Sequence, residues 1–265
     1  MKKAICLVWF FGLINTFCFA QKERTFYKEV QVSTPDYDLI IVDAVANPEE
    51  TKFKIKIINK SASYLSYNPL ESKFIINNTE YPVVNEKPLM IEPYKTESKV
   101  INLKGVGYNA VKNYSFVVSG IYKLINISII TGDDYKLPPA ATAFNIGPYS
   151  ITVEKLNKET DKTTVRFVYV YNGEKTGLVY PMKASVKMPD GKEYGTVKKE
   201  RNVLVLKGQS DDFTLAWERM PGGRANDMQL VDMMVKWNAV FNEADKEKTP
   251  DATLALAIDE VKTNK

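Results

Sequence analysis

The sequence predicts an all-β chain of two β-sandwich domains, carried out of the cytoplasm by a cleavable leader. Three observations carry that expectation. The first residues have the layout of a signal peptide, apolar residues alternate with charged ones in short runs bounded by turn residues, and the same runs return at a fixed spacing later in the chain.

The leader comes first. Met1-Lys2-Lys3 is a positive n-region, the stretch from Ala4 to Phe17 is apolar apart from Gly12 and Asn15-Thr16, and Cys18-Phe19-Ala20 puts small residues at the two positions a signal peptidase reads. Cleavage is expected between Ala20 and Gln21. The apolar run is short for a membrane span, so no transmembrane anchor is expected after cleavage. Asn15-Thr16-Phe17 is not the small-residue approach that lipid attachment at Cys18 requires, so the protein is expected in the periplasm or outside the cell rather than as a lipoprotein.

Both cysteines, Cys6 and Cys18, leave with the leader, and the chain has no histidine. Cysteine- and histidine-based zinc sites, imidazole-assisted nucleophiles, and the usual haem and iron–sulfur ligands are thereby excluded. No cofactor is expected. Without disulfides, core packing alone must hold the fold, and the lack of them fits bacterial export. The net charge of +4 includes Lys2 and Lys3, and the remainder is shared evenly between the halves. No basic stripe for nucleic acid is present. Four sequons, at Asn59, Asn77, Asn113 and Asn126, read as chance matches in an asparagine-rich chain.

The internal repeat sets the order of elements. Tyr37-Asp38-Leu39-Ile40-Ile41-Val42 returns as Tyr149-Ser150-Ile151-Thr152-Val153-Glu154, Thr51 to Ile57 returns as Thr163 to Tyr169, and Ser72 to Ile76 returns as Ala184 to Met188, all at one spacing. Within these runs Phe53, Ile55 and Ile57 alternate with Lys52, Lys54 and Lys56, and Val165, Phe167 and Tyr169 repeat the pattern, which is the period of a half-buried strand. Asn77-Asn78 and Pro189-Asp190-Gly191 follow as hairpin turns, leading to Tyr81 and Tyr194. Val100 to Gly105 is matched to Val203 to Gly208. Met228 to Phe241 has the length of a helix, but its tail alternates Val235, Trp237, Ala239 and Phe241 as Ile125, Ile127 and Ile129 do earlier, so both are expected as strands. Near the C-terminus, helical spacing of Leu254, Ala257, Ile258 and Val261 competes with an echo of Pro139 to Asn145 in Pro250 to Leu256. The echo favours a closing strand of the second domain.

About seven short strands per copy, with turns of Gly, Pro, Asn and Asp, suit an immunoglobulin-like sandwich. In these features the chain resembles tandem immunoglobulin-like domains of exported bacterial proteins, without the Cys-Trp-Cys framework of antibody domains. The leader and the repeat together give the expected organisation, a signal peptide at 1–20 and domains at 21–147 and 148–265, meeting near Gly147-Pro148.

The remaining chemistry is sparse. Asp211-Asp212, Asp133-Asp134 and Glu49-Glu50 are the paired carboxylates, each expected as a solvated turn. Asp36, Asp38 and Asp43 lie close together in the first domain and raise structural calcium, but the second copy has Pro148, Ser150 and Lys155 near those positions. Gly105-Val106-Gly107 has neither the third glycine nor the following helix of a nucleotide loop, and Pro221-Gly222-Gly223-Arg224 reads as a wide turn. Trp217 and Trp237 are expected in the core. Tyr64, Tyr67, Tyr94, Tyr108 and Tyr114 crowd the first domain, and tyrosine suits both sugars and protein partners, so these five are the candidate ligand-binding residues. The expectation is a non-enzymatic envelope protein with a protein or glycan partner. Carbohydrate binding and periplasmic assembly chaperoning are the alternatives.

Overall fold

A computed structural model describes residues 24–219 and 227–264. The leader and its cysteines, and the turn expected at Pro221 to Arg224, lie outside the described residues.

The first half contributes β1 (Thr25–Phe26), β2 (Val30–Ser33), β3 (Tyr37–Ala46), β4 (Glu50–Asn59), β5 (Leu65–Tyr67), β6 (Lys73–Ile76), β7 (Thr79–Pro82), β8 (Leu89–Ile91), β9 (Thr96–Lys104), β10 (Asn113–Val118) and β11 (Ile121–Ile129). Next come β12 (Tyr135–Leu137), β13 (Ala143–Ile146), β14 (Tyr149–Lys158), β15 (Lys162–Tyr171), β16 (Thr176–Val179), β17 (Ser185–Lys187) and β18 (Glu193–Gly195). The chain closes with β19 (Val203–Val205), β20 (Ser210–Glu218), β21 (Met233–Lys236), β22 (Phe241–Lys248), β23 (Ala252–Ala257) and the short helix α1 (Glu260–Thr263). The protein is all-β, and its described strands form antiparallel sheets layered as sandwiches.

The alternation read from the sequence is what buries the sheets. Phe53, Ile55 and Ile57 are fully buried while Lys52, Lys54 and Lys56 face outward, and Val165, Phe167 and Tyr169 do the same in the second half. Asn77 and Asn78 both take positive φ, so β6 and β7 are joined by a tight two-residue turn. Gly191, at φ 85°, serves the β17–β18 hairpin. Trp217 and Trp237 are buried in the second core.

The two halves order their strands alike. β1, β3, β4 and β9, with β2 beside β3, make one outer sheet, and β13, β14, β15 and β20 make the other. The facing sheets, however, are built across the halves. β12 leaves the first half and pairs with β21, completing the sheet β12-β21-β17-β18. β23 leaves the second half and pairs with β10, completing β23-β10-β6-β7, with Asn113 opposite Ala257 and Val118 opposite Ala252. Each lobe is therefore closed by the other half's last strand. Leu254 and Leu256 are buried in the first core, and Leu137 in the second.

Between the lobes runs a six-stranded sheet, β19-β16-β22-β11-β5-β8, three strands from each half, joined by the β11–β22 ladder. It curls until its two edge strands, β8 and β19, lie beside each other. Met90, Leu124, Leu178, Tyr180, Leu204 and Ala244 fill its inner face as a third, smaller core.

Four expectations need correction. The closing strand is a strand, but it completes the first lobe and not the second, because its alternating Ala252, Leu254 and Leu256 fit the open edge of β10. The match of Val100–Gly105 to Val203–Gly208 fails. β9 corresponds to β20, each pairing with the long central strand of its sheet, and β19 corresponds to β8 on the shared sheet. Met228 to Phe241 is not one continuous strand, since Ala239 at φ 57° turns the chain between β21 and β22. Asp211 and Asp212 lie inside β20 rather than in a turn.

Candidate functional site

The five candidate tyrosines do not converge. Tyr67, Tyr108 and Tyr114 are buried in the first core, which is possible because each hydroxyl keeps a partner. Tyr67 Oη lies 3.1 Å from Ser72 Oγ, Tyr114 Oη accepts from Thr51 Oγ1 at 3.2 Å, and Tyr108 Oη donates to the Lys104 carbonyl at 3.5 Å. Burial pushes all three phenols up from their ordinary value. Tyr64 is half-buried against the third core, its ring edge-on to Tyr180 at 6.2 Å. Tyr94 alone is well exposed, at 69 %, in the turn after β8. A row of exposed rings, the arrangement a sugar platform needs, is not what these five form.

The carboxylates are engaged by lysine and arginine. Asp36 pairs with Lys123 at 2.8 Å, Asp38 with Lys60 at 2.7 Å and Asp43 with Lys54 at 3.9 Å. The bond from Lys60, with one from Ser33, holds the Asp38 carboxyl below its usual value. Asp134 pairs with Lys236 at 2.5 Å, and Glu50 with Lys52 at 2.7 Å. Asp212 is held low by the Arg166 guanidinium at 2.9 Å. Among the described residues, no group of three or more acidic side chains is placed to hold a metal ion. No described helix is long and apolar enough to cross a membrane.

The feature that sequence reading missed is a groove of about 1040 Å³ where β8 meets β19. One wall is Asn85–Met90 with the start of β9, and the other is Glu200–Val205 with the start of β20. The walls belong to different halves and occupy equivalent places, Leu89 answering Val203 and Thr96 answering Ser210 at one offset. At that offset Glu86 answers Glu200, Lys87 answers Arg201 and Glu97 answers Asp211.

Polar contacts cross the groove. Asn202 Nδ2 donates to Glu92 Oε1 at 2.5 Å, and Lys87 Nζ lies 3.6 Å from Asp211 Oδ2. Other charges are used within one wall: Lys99 pairs with Glu86 at 3.0 Å and donates to the Lys87 carbonyl at 2.8 Å, while Glu200 accepts from the Thr214 amide and pairs with Lys198. Lys95, Glu97 and Arg201 line the groove exposed. None of the three side chains has a hydrogen-bond or ion-pair partner among the described residues. The only sequence signal for this site is the two short apolar runs, Leu89-Met90-Ile91 and Val203-Leu204-Val205, each set among charges. Their meeting depends on the shared sheet. Neither a family model nor a curated protein sequence matches the chain.

Proposed function

We propose that this chain is an exported, non-enzymatic protein of the cell envelope in which two immunoglobulin-like β-sandwiches, related by internal duplication, act as one rigid binding or spacing module. The observation that carries the reading is the reciprocal exchange of β12 and β23, which makes the lobes share strands as well as a central sheet. Two sandwiches joined by a linker move relative to one another by default. Here such motion requires breaking the β11–β22 ladder and withdrawing a strand from each lobe. The like strand order of the halves supports duplication, and the leader read from residues 1–20 supports export. The absence of histidine and of cysteine after residue 20 supports a role in binding rather than catalysis.

The test is an inter-lobe distance distribution. Residues 21–265 contain no cysteine, so Val106→Cys and Val197→Cys, both at exposed positions, place one spin label on each lobe. A single narrow distance by pulsed electron resonance is expected. A broad or two-peaked distribution defeats the rigid-module reading, and turnover of a glycan, peptide or ester by the purified protein defeats the non-enzymatic part.

A further inference from the structure

The two strands that cross between the lobes are built alike and end differently. β11 is laddered to β22 on one side and to β5 on the other, but only Ile121, Tyr122 and Lys123 pair with β5, and the last backbone bond on that side runs from the Leu124 amide to the Tyr64 carbonyl at 2.9 Å. β22 likewise gives only residues 241–244 to β16. Each crossing strand therefore runs on past its short neighbour as a tail, residues 125–129 of β11 and 245–248 of β22. Neither tail has a ladder partner on its outer side among the described residues.

An open strand edge pairs readily with another chain, and charged side chains are a usual guard against it. The tail of β22 is guarded: Asp245, Lys246, Glu247 and Lys248 are all charged, and Lys175 pairs with Asp245 at 2.9 Å. The tail of β11 is not. Ile125-Asn126-Ile127-Ser128-Ile129 has no charged residue, all five residues are exposed, and its isoleucines stand 37 %, 42 % and 58 % open to solvent. A bulge with Asn126 at φ 50° takes Asn126 and Ile127 out of register with β22, so the centre of the tail has no partner residue on either side.

The tail is also its own complement. Read in either direction it is isoleucine alternating with a small polar residue, so an antiparallel copy centred on Ile127 sets Ile127 opposite Ile127, Ile125 opposite Ile129 and Asn126 opposite Ser128. Residues directly opposite in an antiparallel pair share a face, and such side-chain pairs are what stabilise a sheet. No like charges meet. The fit ends at Leu124, where β5 begins to occupy the edge.

We propose that β11 is the contact strand of a homodimer, in which the tails of two copies pair antiparallel about Ile127 and join their six-stranded sheets across a two-fold axis. Such an axis is the commonest symmetry of soluble oligomers. The occupant is a second copy because the tail offers an unrelated strand no charge to select it, whereas it offers itself three matched isoleucine pairs. Five residues a side, against about 20–30 in a standard interface, make a dimer that dissociates on dilution.

The experiment is sedimentation velocity of residues 21–265 at rising concentration, up to about 0.5 mM. A monomer–dimer equilibrium is expected. Ile127→Lys and Ile127→Glu each set like charges face to face and should each weaken self-association about a hundredfold or more. An equimolar mixture of the two variants should associate again as a one-to-one pair, and Glu247→Lys, in the guarded tail, should leave the equilibrium unchanged. Ile127 is exposed, so its variants are expected to keep the parent circular dichroism. A parent that stays monomeric over the whole range overturns the proposal. So does a dimer that survives Ile127→Lys, or one that the mixture fails to restore, since opposite charges rescue only a contact of residue 127 with itself. The inter-lobe distance is read on labelled protein diluted into unlabelled, which keeps distances between copies out of it and judges the rigid-module reading separately.

Discussion

Leu254→Ala is the most informative single change, because it asks which lobe the last strand holds together. Leu254 lies in the second half of the sequence, yet it is fully buried in the first core, directly opposite Phe116 of β10. Phe116 packs in turn against Phe53 and Phe74, with ring centroids 4.8 Å and 4.9 Å away. Truncating a buried leucine in such a setting costs about 2–5 kcal/mol, a large part of the ~5–15 kcal/mol that holds a domain folded. At about 1.4 kcal/mol per factor of ten, amide exchange through opening of that lobe should accelerate by roughly thirtyfold to a few thousandfold. The assay is hydrogen exchange read by mass spectrometry on peptides covering β10 and β21. Loss of protection at Tyr114, Phe116 and Val118 is expected. Thr253→Ala, at an exposed position of the same strand, should change stability by less than about 0.5 kcal/mol. If Leu254→Ala leaves β10 as protected as before and exposes β21 instead, β23 belongs to its own half and the exchange is wrong.

Other consequences follow from the same contacts. Gly120, at φ 79°, joins β10 to β11, and a Cβ there would stand 2.6 Å from the Asn68 carbonyl oxygen, whereas Gly191, at φ 85°, faces open space. Gly120→Ala should cost at least about 2 kcal/mol in urea unfolding, and Gly191→Ala about 1 kcal/mol from backbone strain alone. Burial pushes Tyr27 up from 10.0 to about 12 and raises Tyr67, Tyr114, Tyr149, Tyr169 and Tyr171 as well. A phenol raised in the folded state stabilises fully below pH 10 and loses that contribution as the pH climbs through the folded value. Stability should therefore fall steeply from about pH 10 toward 12, with phenolate absorbance appearing in step with unfolding, and Tyr27→Phe should make the fall shallower. Cutting the chain between Gly147 and Pro148 should give two fragments that fail to fold alone, since each lacks the strand that closes its facing sheet, and form a one-to-one complex when refolded together. Light scattering after size exclusion reads the outcome, and two separately folded monomers would contradict it.

What the sequence made legible was local. Phe53, Ile55 and Ile57 could only be one face of a half-buried strand, and Asn77-Asn78 and Asp190-Gly191 could only be turns, because period and backbone preference act over a few residues. Partner choice was not legible for the same reason. The halves order their strands alike, and β12 and β23 meet the same kind of edge in either lobe, so nothing in their own residues says whether they close their own sandwich or the other one. The failed match of residues 100–105 to 203–208 has the same source. Both are apolar runs ending in Lys-Gly, but β9 pairs over its whole length with β4 while β19 pairs with β16 at the rim of the shared sheet. The tyrosines were misplaced for a different reason. A phenol can be a surface platform or a core ring, and the outcome turns on whether a buried acceptor or donor waits for the hydroxyl, as Thr51, Ser72 and the Lys104 carbonyl do.

The exchange also explains why a groove exists at all. If each half closed itself, β12 would fold back on β10 and β23 on β21, with as many strands per lobe as the exchanged form has. Little in the separate sandwiches distinguishes the two arrangements. The difference lies between them, because the crossing segments after β11 and β22 are what bring these two strands side by side, and only their ladder joins the halves' three-stranded pieces into one sheet of six. That sheet then has to curl, since Met90, Leu124, Leu178 and Leu204 need a common interior. Curling carries β8 and β19 toward each other, yet Glu92, Lys95, Glu97, Glu200, Arg201 and Asp211 crowd the approach with charge, and the two edges stop short of forming a ladder. The groove is therefore the seam left where a pseudo-symmetric barrel fails to close, its walls fixed by the same exchange that locks the lobes.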